Sequence, residues 1–159
     1  MVGGDTVLSS TYKSHVFLPT PEKFEAGLQD YAGIIGLGEA VNYLEKVGFN
    51  EIRKQEELLN AYITNELLLI PNLTIIGPQD PKKRGGIISF YIPNKDHHQI
   101  ALMLDETAKI MVRSGQHCVH SWFADRKILG SVRASVAFYN TIEEAEIFVR
   151  ELKKVLSVL

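Results

Sequence analysis

The sequence predicts an α+β fold, a small and mostly antiparallel sheet covered by helices on one face. Apolar residues recur at helical spacing over long stretches around 32–47, 51–69 and 142–158. Short runs rich in β-branched and aromatic residues, "LTIIG", "GIISFYI" and "SVRASVAFY", lie between them. The order is helix, helix, strand, strand, helix, strand, loop, strand, helix, which suits helices packed on one side of a sheet.

Each element has its own signals. Residues 1–29 read as irregular, with a Gly-Gly pair in "MVGGDTV" and two prolines and a glycine in "LPTPEKFEAG". So long an opening without structure predicts a connecting segment that packs on something outside the chain; residues 30–159 then form the domain proper. The first helix runs from about Ala32 to Val47 on Ile34, Leu37, Ala40, Val41, Leu44 and Val47. Gly48 follows it, where left-handed backbone suits glycine. Asn50 is placed to cap a second helix from Glu51 to about Leu69, with Pro71 beyond its end and Ile52, Leu58, Leu59, Tyr62, Ile63, Leu67 and Leu68 as its apolar face. The strand "LTIIG" leads through the turn-rich "GPQDPKKRGG" into "GIISFYI". Residues 97–108 read as a helix with Ile100, Leu102, Met103 and Leu104 inward. "IMVRS" reads as a short strand, and "SVRASVAFY" alternates as another. Thr141 and Glu144 form a T-x-x-E capping box opening the last helix, through about Val158.

Composition narrows the function classes. The chain has 159 residues, enough for one domain with a real core. A formal net charge of −2 gives no footprint for nucleic acid or an anionic membrane. A single cysteine excludes an internal disulfide framework and suits a reducing compartment. No apolar run approaches a membrane span, and "MVGGDTVLSS" lacks the features of a signal peptide, so the expected location is cytoplasmic.

The candidate chemistry centres on "VRSGQHCV", which holds the cysteine, Cys118. Thiolate is the reactive form, and a neighbouring cation favours it, here Arg113 or a protonated His117. Ser114 and Gly115 let the chain turn, which places Cys118 on a loop. A small buried hydrophobe is the other fate open to a free cysteine. Arg133 sits inside an apolar run. If buried, it needs a partner, and its planar fork suits a carboxylate. If it lies on the solvent face of an edge strand with Ser131 and Ser135, it needs none. His117, Cys118 and His120, with His97 and His98 elsewhere, are metal-ligand types, but their spacing matches no standard zinc motif, and polar loop residues are the simpler reading. "GIIGLGEA" has G-x-x-G-x-G rather than the dinucleotide order and follows no strand. "KVGFNEIRKQEELLNAYITNEL" reads as an amphipathic helix with a solvated charged face rather than a partner helix.

Taken together, "KFEAGLQDYAGIIGLGEAVNYLEKVG", "RSGQHC" and "VRASVAFYNTIEEAE" resemble the C-terminal part of a cysteine desulfurase. The likeness is to the SufS-type branch of the class V, pyridoxal-phosphate-dependent aminotransferases, and it covers essentially the whole chain. R-x-G-x-H-C together with R-A-S-x-x-x-Y-N-T carries it. The resemblance implies the C-terminal small domain of the fold type I aminotransferase architecture. It implies conversion of L-cysteine to L-alanine, with the sulfur passed to a protein cysteine as a persulfide for iron–sulfur cluster assembly. Cys118 would be the nucleophile, Arg133 the ligand of the substrate carboxylate, and Arg113 and His117 substrate-positioning and thiol-tuning groups. A sulfur acceptor or iron–sulfur scaffold protein would be the partner, and the complete protein a homodimer. Gly3, Gly4 and Gln29 would touch the cofactor of the neighbouring subunit.

Two departures qualify the likeness. "FEAG" is followed by Leu28 where the family has Thr. The family anchors pyridoxal phosphate through a lysine that follows a histidine in a larger preceding domain. The five histidines here are followed by Val, His, Gln, Cys and Ser. The isolated chain is therefore expected to be inactive, with its cofactor held mainly outside it. A selenocysteine lyase on the same scaffold and a non-catalytic isolated domain are the alternatives.

Overall fold

The computed structural model describes residues 3–159. The chain divides into two compact units after Lys46. The first helix thus groups with the opening segment.

The first unit is more ordered than its sequence promises. Strands β1 (Val7–Ser10) and β2 (His15–Phe17) pair antiparallel, and a short 3-10 turn spans Glu22–Phe24. Side chains make this hairpin. The Thr11 hydroxyl accepts from the backbone N–H groups of Lys13 and Ser14 and closes its loop. Buried Thr6 donates to the Gly3 carbonyl at 2.7 Å. Both strands are short and mostly exposed, so no apolar alternation announces them. Helix α1 (Tyr31–Val47) begins where the Asp30 carboxylate accepts from the Gly33 N–H at 3.0 Å. A side chain at 33 would collide with that carboxylate. The expected apolar face is present, but no residue of α1 is buried, and Ile34, Leu37 and Val41 are exposed.

The second unit starts at the helix junction. Gly48, at φ +89°, is the single residue between α1 and α2 (Phe49–Leu67). It turns the chain where a Cβ would be strained. Asn50 is consequently inside the first turn and not the cap. Leu59, Ile63 and Leu67 are buried, whereas Leu58 and Leu68 are exposed. Strands β3 (Thr74–Ile76) and β4 (Ile87–Tyr91) follow, then α3 (His97–Ala108), β5 (Arg113–Gly115), α4 (His120–Asp125), β6 (Ser131–Ser135) and α5 (Ile142–Val158). The sheet order is β3-β4-β6-β5, antiparallel throughout.

One face of the sheet makes the core. Ile88, Phe90, Val132 and Ala134 pack with Leu59 and Ile63 of α2, Ile100 and Leu104 of α3, and Phe148, Val149 and Leu152 of α5. Each of these side chains larger than alanine contributes about 1.5–3 kcal/mol by leaving water. Leu102, expected inward, is 56% exposed, since it lies off the Ile100–Leu104 stripe. The other face carries Ser89, Ser131, Arg133 and Ser135, because successive strand residues point to opposite sides. The predicted "IMVRS" strand begins only at Arg113. Lys109 adopts the left-handed conformation, and the Ile110 N–H is spent on the Leu104 carbonyl in closing α3. The predicted strand from Ser131 ends early, in a turn where the Asn140 side chain accepts from the Ala137 N–H. The capping box forms as expected. Thr141 Oγ1 accepts from the Glu144 N–H at 3.2 Å, and Glu144 Oε2 accepts from the Thr141 N–H at 2.9 Å. Among the described residues no helix is long and apolar enough to cross a membrane.

Candidate active site

The cysteine sits on the loop between β5 and α4. Gly115 leaves the strand at φ +121°, and His117 and Cys118 follow at φ +49° and +63°. Two successive non-glycine residues in the left-handed region cost roughly 1–3 kcal/mol each, and such strain gathers at functional positions. Two bonds hold the bend. The Val119 N–H donates to the Gln116 carbonyl at 2.9 Å, and Gln116 Nε2 reaches across to the Leu129 carbonyl at 3.1 Å. Cys118 is exposed, so the buried-hydrophobe reading does not hold in this chain.

The stem beneath the loop concentrates positive charge. In the β5–β6 ladder Arg113 lies directly across from Arg133, and Gly115 from Ser131. β6 is an interior strand between β4 and β5, which removes the edge-strand reading of Arg133. Arg133 is half-buried, and its Nε is buried without a hydrogen-bond partner. A buried donor without an acceptor is costly, and an anionic ligand would satisfy it.

His117 completes the cluster. Its Nε2 lies 3.0 Å from Ser131 Oγ, while its Nδ1 is buried and unpartnered. Burial holds its pKa below the ordinary histidine value, and the charges of Arg133 and then Arg113 push the same way, against the hydrogen bonding to Ser131. His117 is thus neutral near pH 7. Of the two cations named beside the thiol this leaves Arg113, and the guanidiniums are the permanent positive charges here.

Sequence reasoning missed the supports of this loop. His98 Nδ1 lies 2.9 Å from Ser114 Oγ, and a side chain at Gly130 would run into the His97 imidazole. Asp96 caps α3 and so places both histidines, accepting from the N–H groups of His98 and Gln99. Their one sequence signal was the Asp-His-His run at a helix start. Among the described residues no three His, Cys, Asp or Glu side chains are arranged to hold a metal ion. The structure therefore brings Arg113, His117, Cys118 and Arg133 together on one stem and loop. Gly3, Gly4 and Gln29 belong to the first unit. The Gly27 N–H donates to the Gly4 carbonyl, and the Gln29 amide meets Glu25 and the Tyr31 hydroxyl.

The sequence pattern of the family described as "Aminotransferase class-V" matches residues 1–148. The chain belongs to the class-V aminotransferase family. Two relatives from this family carry the name "Probable cysteine desulfurase". The protein of Pyrococcus abyssi is 39% identical over 161 residues, 100% of this chain and 39% of that protein. The protein of Xylella fastidiosa is 38% identical over 157 residues, 99% of this chain and 37% of that protein. An apo cysteine desulfurase structure from Thermococcus onnurineus superposes on the whole chain with a TM-score of 0.84 and 34% identity, across 39% of its own length. The chain thus spans less than two fifths of the class-V relatives it matches.

Proposed function

We propose that this chain is the nucleophile-bearing C-terminal part of a SufS-type cysteine desulfurase. The observation that carries the reading is an exposed Cys118 on strained backbone, above a stem whose Arg133 has a buried, unpartnered Nε. The complete protein would work as a cytoplasmic homodimer and pass sulfur to an acceptor or iron–sulfur scaffold protein. Selenocysteine lyase activity has no observation in its favour here.

The residues divide the work by their chemistry. Arg133 offers a planar fork to the carboxylate of L-cysteine, and Arg113 adds a second positive charge. Cys118 Sγ, as thiolate, bonds to the substrate sulfur as the substrate Cβ–S bond breaks. The sulfur stays on Cys118 as a persulfide, and the carbon skeleton leaves as L-alanine after taking up a proton. Pyridoxal phosphate, when bound, would supply the electron sink for this chemistry. Its anchoring lysine would come from a domain preceding this chain, and Gly3, Gly4 and Gln29 would face the cofactor of the neighbouring subunit. The chain alone would be inactive, since none of its histidines precedes a lysine.

The test is Cys118→Ala in the complete, cofactor-loaded protein. Mass spectrometry after incubation with L-cysteine should find one added sulfur on Cys118 in the parent protein. None should be found in the variant, while its fold and cofactor absorbance stay unchanged. Persulfide on another residue at the parent rate would overturn the assignment.

A further inference from the structure

One residue before Cys118 stands a ring whose orientation nothing in the R-x-G-x-H-C motif explains. Every other polar side chain on the open face of the sheet keeps some access to solvent, but Ser131 is fully buried. Its register opposite Gly115 sets it beneath the first residue of the bend, two positions before His117. There its Oγ meets His117 Nε2 at 3.0 Å. The ring nitrogen on the other side, Nδ1, is buried and has no partner. Ser131 itself has little freedom to shift, because Gly130 before it lies against the His97 imidazole.

From this geometry we infer that Ser131 is a positioning residue: it accepts from His117 Nε2–H and leaves Nδ1, on the far side of the ring, as a bare lone pair. Three arguments select this tautomer. A neutral imidazole carries one N–H, and placing it at Nδ1 would bury a donor without an acceptor. The groups charged beside the ring, Arg113 and Arg133, are donor-only, and they favour a bare nitrogen over an N–H. Burial keeps the ring neutral, so the lone pair is available near pH 7.

The inference rests on the desulfurase reading and extends it. The Cys118 thiol must lose its proton before its sulfur can attack that of the substrate. Nδ1 can take that proton. The S–H bond breaks, its electron pair stays on sulfur, and the proton forms an N–H on Nδ1. The imidazolium keeps its Nε2–H on Ser131 throughout, so the ring need not turn over. Without the Ser131 hydroxyl the ring keeps only its interaction with the backbone of residue 131, and the fraction that presents a bare Nδ1 falls.

Ser131→Ala in the complete, cofactor-loaded protein tests this, with Cys118→Ala alongside. Alanine removes one atom and adds none, so the buried site is not overpacked. Ser131→Ala should lower kcat for alanine release from L-cysteine about tenfold, within the range of proton-transfer catalysis, and leave KM unchanged. Nitrogen NMR of histidine-labelled protein should show His117 as the Nε2–H tautomer in the parent and as a mixture in the variant. An unchanged kcat, a matching rise in KM, or an Nδ1–H tautomer in the parent each overturns the inference. Persulfide formation persisting in Cys118→Ala overturns the desulfurase reading instead.

Discussion

Arg113 and Arg133 stand directly opposite one another on neighbouring strands. Like charges in that relation destabilise a sheet, by roughly 0.2–1 kcal/mol per pair. On the reading proposed above, the pair is kept because it holds positive charge in place for a carboxylate.

Arg133→Gln should therefore separate stability from function. The KM for L-cysteine in the complete protein is expected to rise roughly 10- to 100-fold, the worth of charge-assisted hydrogen bonds to a carboxylate. The urea midpoint of the same variant should stay level or rise. A fall in midpoint with an unaltered KM would make Arg133 a structural residue only.

Gly130→Ala should weaken the loop stem, because the new methyl meets the His97 ring. Overpacking of this kind costs about 1–3 kcal/mol. Pairing it with His97→Ala should recover much of the loss, and a double-mutant cycle in urea measures that coupling. Strict additivity of the two changes would show that the contact is not the cause.

Acid should loosen the site through His117. Its folded-state pKa lies below the ordinary value, with burial the largest cause. The unfolded chain therefore takes up a proton at higher pH than the folded one. The stability from burying the neutral ring is present above the ordinary histidine value, and it drains away as pH falls below that value, down to the folded one. His97 is lowered in the same direction, so His117→Gln should flatten only part of the slope. Urea titrations between roughly pH 5 and 7.5, on either side of the unperturbed histidine pKa, read this directly. A parent slope of the opposite sign would contradict the burial.

At the far end of the domain, Thr141→Ala should cost about 1 kcal/mol through loss of the N-cap of α5. The Glu144 carboxyl is held below its usual range by Asn140 first and then by the Thr141 N–H. Its contribution is present above the unfolded carboxyl value and disappears as pH falls through the depressed one. Glu144→Gln should make the acid limb of the stability curve shallower, and thermal melts at stepped acid pH would detect an unaltered limb.

Much of this was legible because it is local. The Thr141–Glu144 box, the break at Gly48 and the alternation of Val132 and Ala134 against Arg133 follow from residue type and spacing. The hairpin at Val7–Ser10 was not legible, because hydroxyl bonds from Thr6 and Thr11 hold it together and its side chains show no apolar rhythm. Cys118 and Arg133 could be picked out as reactive types. Their supports could not, since Ser131, His98 and Gly130 matter only through partners 14 to 33 residues away, brought together by the strand register.

That register also guards the fold against its own errors. Along β6, Ser131 and Arg133 answer to chemistry while Val132 and Ala134 answer to packing. A slip of one residue exchanges the two sets, driving a guanidinium into the apolar interior and putting a valine where the arginine stood. The alternation of a single five-residue strand thus acts as a proofreader, and any chain that folds tightly has its arginine on the open face.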